Sequence, residues 1–343
     1  MRVLVVDDSA VVRRSLERIL GEDPEIGRVD TAASGAIALR KLERFDPDLV
    51  TLDLEMPGLD GLATLRQLMQ RAPRPVILLS AHSAAGAART LEALEEGALD
   101  FVQKPGGLTS ESIAQVAPVL VAKVKALARR RRAAPTVARG KVARLAMPRS
   151  GQVDVVAIGA STGGTEALRA ILGGLPADFP AGLVLVQHMP AGFTAAFARR
   201  LDELSALEVK EAAHRDLVRP GRALLAPGHS HMVVRREDGV GFVELDRRPA
   251  VGGHRPSVDV LFESTLEAYG ARTLGVLLTG MGRDGARGLC AIRQAGGTTL
   301  AQDEASSVVF GMPKAAIQAG GAVHVLGLGD IAPALRRLVP SAR

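Results

Sequence analysis

Three side chains that could share one reaction stand far apart in the chain. Ser161 lies in Gly159-Ala160-Ser161-Thr162-Gly163, His188 ends the apolar run GLVLVQH, and Asp284 falls in MGRDGARG after the apolar run TLGVLLTG. A serine hydroxyl is a weak nucleophile near neutral pH, so it needs an adjacent base, itself oriented by a carboxylate. A G-x-S-x-G turn between strand and helix holds a hydroxyl out at the end of a sheet, and its glycines permit the sharp bend. The same turn could in principle cradle a phosphate. The stretch VDVVAIGASTGGTEALRAIL, however, has neither G-x-G-x-x-G nor G-K-[ST], and the next strand ends in His188 rather than an acid. Acyl transfer through serine is the chemistry these residues favour. The chain order Ser, His, Asp differs from the Ser, Asp, His of α/β-hydrolases and points to another lineage.

A second set lies near the start of the chain: Asp7, Asp8, Asp53, Ser80 and Lys104, each at the end of a strand-like run. Three carboxylates on one rim repel one another unless a cation sits among them, and hard oxygen ligands with open positions suit Mg²⁺. A lysine and a hydroxyl on that rim would complete an anion pocket beside the metal.

The elements that must position these residues alternate. RVLVVDD, GRVDTAAS, PDLVTLD, PVILLS and LDFVQK read as strands, with amphipathic segments over 9–20, 34–44 and 62–70 between them. Such alternation predicts a parallel sheet covered by helices on both faces, with ligands at the carboxyl ends of its strands. We read residues 1–128 as a flavodoxin-like (βα)5 domain. The alternation resumes after residue 150, so 151–343 is read as a Rossmann-like doubly wound α/β hydrolytic domain with a mainly parallel sheet. Ser161, His188 and Asp284 each follow a parallel-strand signal and can meet in one crevice. In PSVDVLFESTLEAYG, Val258, Leu261, Phe262, Leu266 and Tyr269 recur at helical spacing and are read as core. Residues 129–150 lack apolar periodicity and contain proline and glycine, which predicts an exposed basic linker.

Composition narrows the function classes. With 343 residues, 47% of them hydrophobic, the chain has material for two packed cores. MRVLVVDDSA meets two carboxylates after four apolar residues, and no uncharged apolar run approaches 18 residues. A cytoplasmic protein with no membrane insertion is therefore expected. The net charge is +6, yet 123–149 carry ten basic residues and no acidic one, leaving the remainder at −4. A basic segment on a mildly acidic protein is not a nucleic-acid-binding face, and with no Trp and one Tyr there is little to stack bases on. Nucleic acid is not expected as a partner. The single Cys290 excludes an internal disulfide and is read as a buried apolar residue. His214, His229 and His231 lie in loop-like segments without nearby Cys or Glu ligands, so polar surface is favoured over a metal site. His254 and Arg255 are assigned to the substrate cleft.

Residues 1 to about 125, with Asp7, Asp8, Asp53, Ser80 and Lys104 at successive strand ends, resemble the receiver domain of two-component response regulators. The resemblance implies Asp53 as phosphoacceptor and Mg²⁺ held by Asp7, Asp8, Asp53 and the backbone carbonyl of Glu55. It also implies Ser80 and Lys104 as phosphoryl contacts, Phe101 as the aromatic switch, and a cis Lys104-Pro105 bond. GASTGG, LVQHMPAGFTAAFARRLD, GHRPSVDVLFEST, LTGMGRDGARGL and AQDEASSVVFGMPKAAIQAG resemble the catalytic domain of the CheB family of chemotaxis protein-glutamate methylesterases. That likeness implies Ser161 as nucleophile, His188 as base, Asp284 as orienting carboxylate, the Met281 N–H as oxyanion donor and Thr162 as support. It implies demethylation of chemoreceptor glutamates with release of methanol, deamidation of receptor glutamines, and no cofactor for hydrolysis. The chemotaxis kinase CheA would be the phosphodonor, and the unphosphorylated receiver would inhibit the hydrolase by covering the Ser161 crevice. The alternatives are a response regulator with a DNA-binding output, marked by two short helices at a tight turn, or a receptor-binding module without activity.

Overall fold

The computed structural model describes residues 1–80, 83–104, 110–132 and 152–340. The chain folds as two compact units, Met1–Pro135 and Thr136–Arg343. In the first, β1 (Arg2–Val6), α1 (Ala10–Gly21), β2 (Arg28–Ala32), α2 (Gly35–Phe45), β3 (Leu49–Asp53), α3 (Gly61–Arg71), β4 (Val76–Ser80), α4 (Ala84–Glu95), β5 (Asp100–Gln103) and α5 (Ser110–Arg132) alternate. The strands form one parallel sheet in the order β2-β1-β3-β4-β5. Every residue of β3 and β4 is buried, as expected of strands covered on both faces. Ser9, Ser34 and Asp60 cap α1, α2 and α3 by accepting from the N–H groups of Val12, Ile37 and Ala63. These caps start each helix close to its preceding strand.

Helix α5 runs through Arg132, into the segment expected to be linker from Arg129 onward. Arginine is a good helix former, and cations at a helix C-terminus complement its dipole. Lys125 and Arg129 also pair with Glu25. Residues 133–151, which include the rest of the expected linker, and the Lys104-Pro105 bond lie outside the described residues.

The second unit contains β6 (Val155–Ala160), α6 (Gly164–Leu172), β7 (Gly182–Gln187), α7 (Phe193–Leu204), β8 (Glu208–Glu211), β9 (Arg222–Leu225), β10 (His231–Glu237) and β11 (Val240–Asp246). These are followed by α8 (Val258–Tyr269), β12 (Thr273–Leu277), α9 (Ala286–Gln294), β13 (Thr298–Gln302), α10 (Met312–Gln318), β14 (His324–Leu326) and α11 (Leu328–Leu338). Seven strands make a parallel sheet in the order β14-β13-β12-β6-β7-β9-β8, and β10-β11 form a separate antiparallel hairpin. One face of the sheet, with Val155, Ala157, Val184 and Val186, packs against the hairpin, α8, α9 and α10 through Met232, Val243, Val258, Leu261, Phe262, Leu289 and Met312. The periodic residues of α8 are thus core, as their spacing predicts. Among the described residues no helix is long and apolar enough to cross a membrane.

Candidate active site

From β6 the chain proceeds to β7 on one side, and from β12 it proceeds to β13 on the other. The sheet's connections therefore diverge between β6 and β12, and a crevice opens at their carboxyl ends. Ser161 is the first residue after β6, and His188 the first after β7. The N–H of Ser161 donates to the Thr279 carbonyl at 3.0 Å, and its own carbonyl accepts from Gly164 N at 2.7 Å. His188 N donates to the Ala160 carbonyl at 3.0 Å. The turn's left-handed residue is Gly163 (φ 77°), not Ser161, and a Cβ there would stand 2.4 Å from Val308. Ser161 thus leaves the strand on relaxed backbone, because the following glycine takes the bend.

Asp284 is the most heavily bonded side chain of the crevice. It accepts from His188 Nε2 at 2.8 Å, Ser257 Oγ at 2.9 Å, Val258 N at 2.8 Å and Asp259 N at 3.0 Å. The last two are first-turn amides of α8, where unpaired N–H groups and the helix dipole favour an anion. Burial acts to raise the Asp284 pKa, but the bond from His188 and the two backbone N–H groups outweigh it and hold it at about 2. A carboxylate can only accept, so the Nε2 proton of His188 points at Asp284. Nδ1 is then the basic nitrogen, and it is buried without a hydrogen-bond partner among the described residues. The His254 ring lies parallel to that of His188, with centroids 3.9 Å apart and planes at 6°.

The first turn of α8 reaches Asp284 because β6 is narrow beneath it: a Cβ on Gly159 would stand 2.2 Å from Val258 Cγ1. Gly159→Ala is expected to destabilise the protein by about 1–3 kcal/mol through this overpacking. Urea denaturation measures the loss, and adding Val258→Ala should recover part of it. An unchanged midpoint in the single variant would refute the close fit.

Several supporting residues carried no sequence signal. Gln187 reads as the penultimate residue of an apolar strand, yet its buried side chain donates to the Ser161 carbonyl at 2.9 Å and the His188 carbonyl at 3.2 Å. Thr279 donates through Oγ1 to the Thr162 carbonyl at 2.9 Å and receives Val309 N at 3.0 Å. Ser257 emerges only once α8 is seen to point at Asp284. His231 corrects an expectation: it is fully buried rather than surface, and its Nδ1 accepts from Ser257 N at 3.2 Å while Nε2 meets the Pro249 carbonyl at 3.2 Å. It fixes the residue that caps α8. His214 and His229 are exposed.

Of the residues assigned from family likeness, Met281 is half-buried in a loop held by Gly280 N to Val309 O and by Gly311 and Met312 N to Gly280 O. Thr162 is buried, and its carbonyl is the group tied to Thr279. Arg255 is exposed, and its Nη1 reaches the Arg247 and Arg248 carbonyls at 3.1 and 3.3 Å. Cys290 is half-buried, not fully buried as its type predicts, because it faces the Ala319 carbonyl near the surface.

In the first unit, Asp7, Asp8 and Asp53 each bring a carboxylate oxygen within 4.8 Å of the others, a donor set that fits a hard divalent cation. Lys104 Nζ pairs with Asp7 at 2.9 Å and Asp53 at 2.7 Å. Burial pushes Asp53 upward against the pull of Lys104, while the two carboxylates outweigh burial and hold Lys104 above its usual value. Glu55 donates its N–H to Asp53 Oδ1 at 3.1 Å. Ser80 Oγ meets Thr90 Oγ1 at 2.6 Å, and Thr90 donates onward to the Gly86 carbonyl. Phe101 is already inside at 6% exposure, with Lys123 Nζ on its carbonyl at 2.9 Å and 5.9 Å from its ring centroid. Phe101, implied by the resemblance as the aromatic switch, is thus buried in this structure.

Residues 3–114 match the response regulator receiver domain, and residues 156–335 match the family model described as CheB methylesterase. A relative in Anaeromyxobacter dehalogenans named protein-glutamate methylesterase/protein-glutamine glutaminase 5 is 51% identical, over 98% of this chain and 96% of its own. The chain belongs to the CheB methylesterase family. A Pseudomonas aeruginosa relative named protein-glutamate methylesterase/protein-glutamine glutaminase 2 is 49% identical, over 97% of this chain and 95% of its own. The crystal structure of the Thermotoga maritima CheB methylesterase catalytic domain is 43% identical, with a TM-score of 0.54 over 55% of this chain and 100% of that one. The output unit of this CheB-family chain is therefore a methylesterase domain, which displaces the DNA-binding alternative.

Proposed function

We propose that the protein removes methyl esters from chemoreceptor glutamates and deamidates receptor glutamines, using Ser161, His188 and Asp284, under control of the phosphorylated receiver. The observation that carries this reading is the bond between His188 Nε2 and a carboxylate held ionised by the α8 N-terminus, which leaves Nδ1 to act as base.

Ser161 Oγ attacks the ester carbonyl carbon while His188 Nδ1 takes its proton. The carbonyl oxygen becomes an oxyanion received by the Met281 N–H, a contact worth roughly 3 kcal/mol of barrier. Collapse breaks the bond to the methoxy oxygen, which leaves as methanol with the proton from His188. Water then attacks the glutamyl ester on Ser161, again giving its proton to His188, and releases glutamate and the free hydroxyl. With a glutamine substrate the first leaving group is ammonia, and the acyl-enzyme is the same.

Asp53 accepts the phosphoryl group from a histidine kinase, CheA in the chemotaxis setting. Asp7, Asp8 and Asp53 with the Glu55 carbonyl would hold Mg²⁺, which when bound neutralises charge on the incoming phosphoryl oxygens. Lys104 already sits on Asp53, and Ser80 has to leave Thr90 to reach them. The proposed division is a receiver over 1–128, a linker over 129–150 and a hydrolase over 151–343, acting in the cytoplasm.

Acetyl phosphate with Mg²⁺ should label the wild type and raise its rate of methanol release from methylated receptor membranes, and should do neither to Asp53→Asn. Label persisting on Asp53→Asn would move the phosphoacceptor elsewhere. Label without acceleration would remove inhibition by the receiver from the account.

A further inference from the structure

We infer that His254 is a positioning residue for the catalytic base: its ring forms a parallel platform under His188 that holds the plane of that imidazole. The inference rests on the role proposed above for His188.

Among the described residues His188 makes a single side-chain hydrogen bond, through Nε2. One bond sets the distance to Asp284 but leaves the ring free to rock about the Nε2–Oδ2 line, which would change the direction in which Nδ1 points. A second ring 3.9 Å away and tilted by only 6° removes that freedom. Parallel stacking with an offset is one of the arrangements aromatic rings prefer, so the contact holds with both rings neutral. It gains strength when one ring turns cationic, because a cation is attracted to an electron-rich face. In the proposed mechanism His188 takes the Ser161 proton, so the contact strengthens as the transition state is reached.

That account requires a neutral His254. Burial, with the neighbouring His188 adding to it, holds the His254 pKa at about 4, and Asp284 opposes them only in part. The platform is also held independently of His188. His254 and Val251 exchange both backbone hydrogen bonds at 3.0 Å across a turn made by Gly252 (φ 61°) and Gly253 (φ 84°). The Arg255 guanidinium then ties the end of this loop to the carbonyls where it began.

The test compares His254→Ala, His254→Phe and His254→Gln in full-length protein, with kcat and KM for methanol release from methylated receptor membranes in the presence of acetyl phosphate. Loss of a stacked ring is expected to lower kcat roughly tenfold in the Ala and Gln variants with KM within about twofold. Phe, which keeps the face and has no polar atom, should restore kcat to within about threefold of wild type. If Ala does not fold, judged by its melting temperature, the Phe and Gln pair decides. A higher KM with kcat unchanged would overturn the inference in favour of substrate binding. Rescue by Gln, or failure of Phe in a folded protein, would overturn it in favour of a polar role. Absence of methanol release from the wild type would instead reject the proposed function.

Discussion

Ser161→Ala is expected to lose methanol release and deamidation together, by about four orders of magnitude or more, while Asp53 still accepts phosphate. The size follows from the way such residues act as a unit: without the nucleophile, the base and its carboxylate have nothing to activate. The joint loss follows from the shared acyl-enzyme. The removed hydroxyl makes no contact on which the fold depends, because Ser161 is anchored by its backbone to Thr279, Gly164 and Gln187. The variant should therefore melt within a few degrees of wild type. Hydrolysis within tenfold of wild type, measured as methanol release from the same receptor preparation, would remove Ser161 from the mechanism. Loss of one activity alone would mean that ester and amide use different nucleophiles.

Asp284→Asn should reduce kcat by about 10⁴-fold with little change in KM, the scale seen when the carboxylate of a Ser-His-Asp set becomes an amide. The amide nitrogen would face His188 Nε2, and the proton would move to Nδ1, where the serine needs a lone pair. Activity within tenfold of wild type would show that Asp284 does not set the tautomer.

The same substitution has a signature in stability. The Asp284 pKa is depressed to about 2, so its ionised form contributes stability in full above the ordinary carboxylate value. That contribution is lost as pH falls through about 2. The stability gap between wild type and Asp284→Asn, from urea melts, should thus be constant from pH 7 to 5 and shrink toward pH 2. A gap that widens on acidification would reverse the assignment.

The parallel sheets were legible because strand-like runs alternate with amphipathic segments of helical period, and because hydroxyl or carboxylate caps precede α1, α2 and α3. The placing of Ser161 and His188 at the ends of β6 and β7 was legible for the same reason. Residues at the carboxyl ends of neighbouring parallel strands share a rim whatever their separation along the chain. What could not be read was the layer behind them. Gln187 acts through a side chain turned into the sheet's end, and nothing in LVLVQH distinguishes it from a strand terminus. Ser257 and His231 act on Asp284 only because Gly159 lets α8 descend onto β6, a packing fact with no periodic trace. His231 was misjudged because GHS before it is polar, whereas it is the first residue of β10 and its ring bonds to Pro249 and Ser257. Helix α5 outran its apolar pattern because Lys125 and Arg129 are held by ion pairs to Asp23 and Glu25, in the segment after α1.

The most direct measurement is covalent labelling with a fluorophosphonate, which an activated serine hydroxyl attacks at phosphorus with loss of fluoride. The account predicts one phosphonyl group per chain, found by mass spectrometry on the peptide containing Ser161, with methanol release falling in proportion to labelling. It also predicts no such labelling in His188→Ala. A fully labelled enzyme that still releases methanol, or a label carried by another residue as activity disappears, would contradict it.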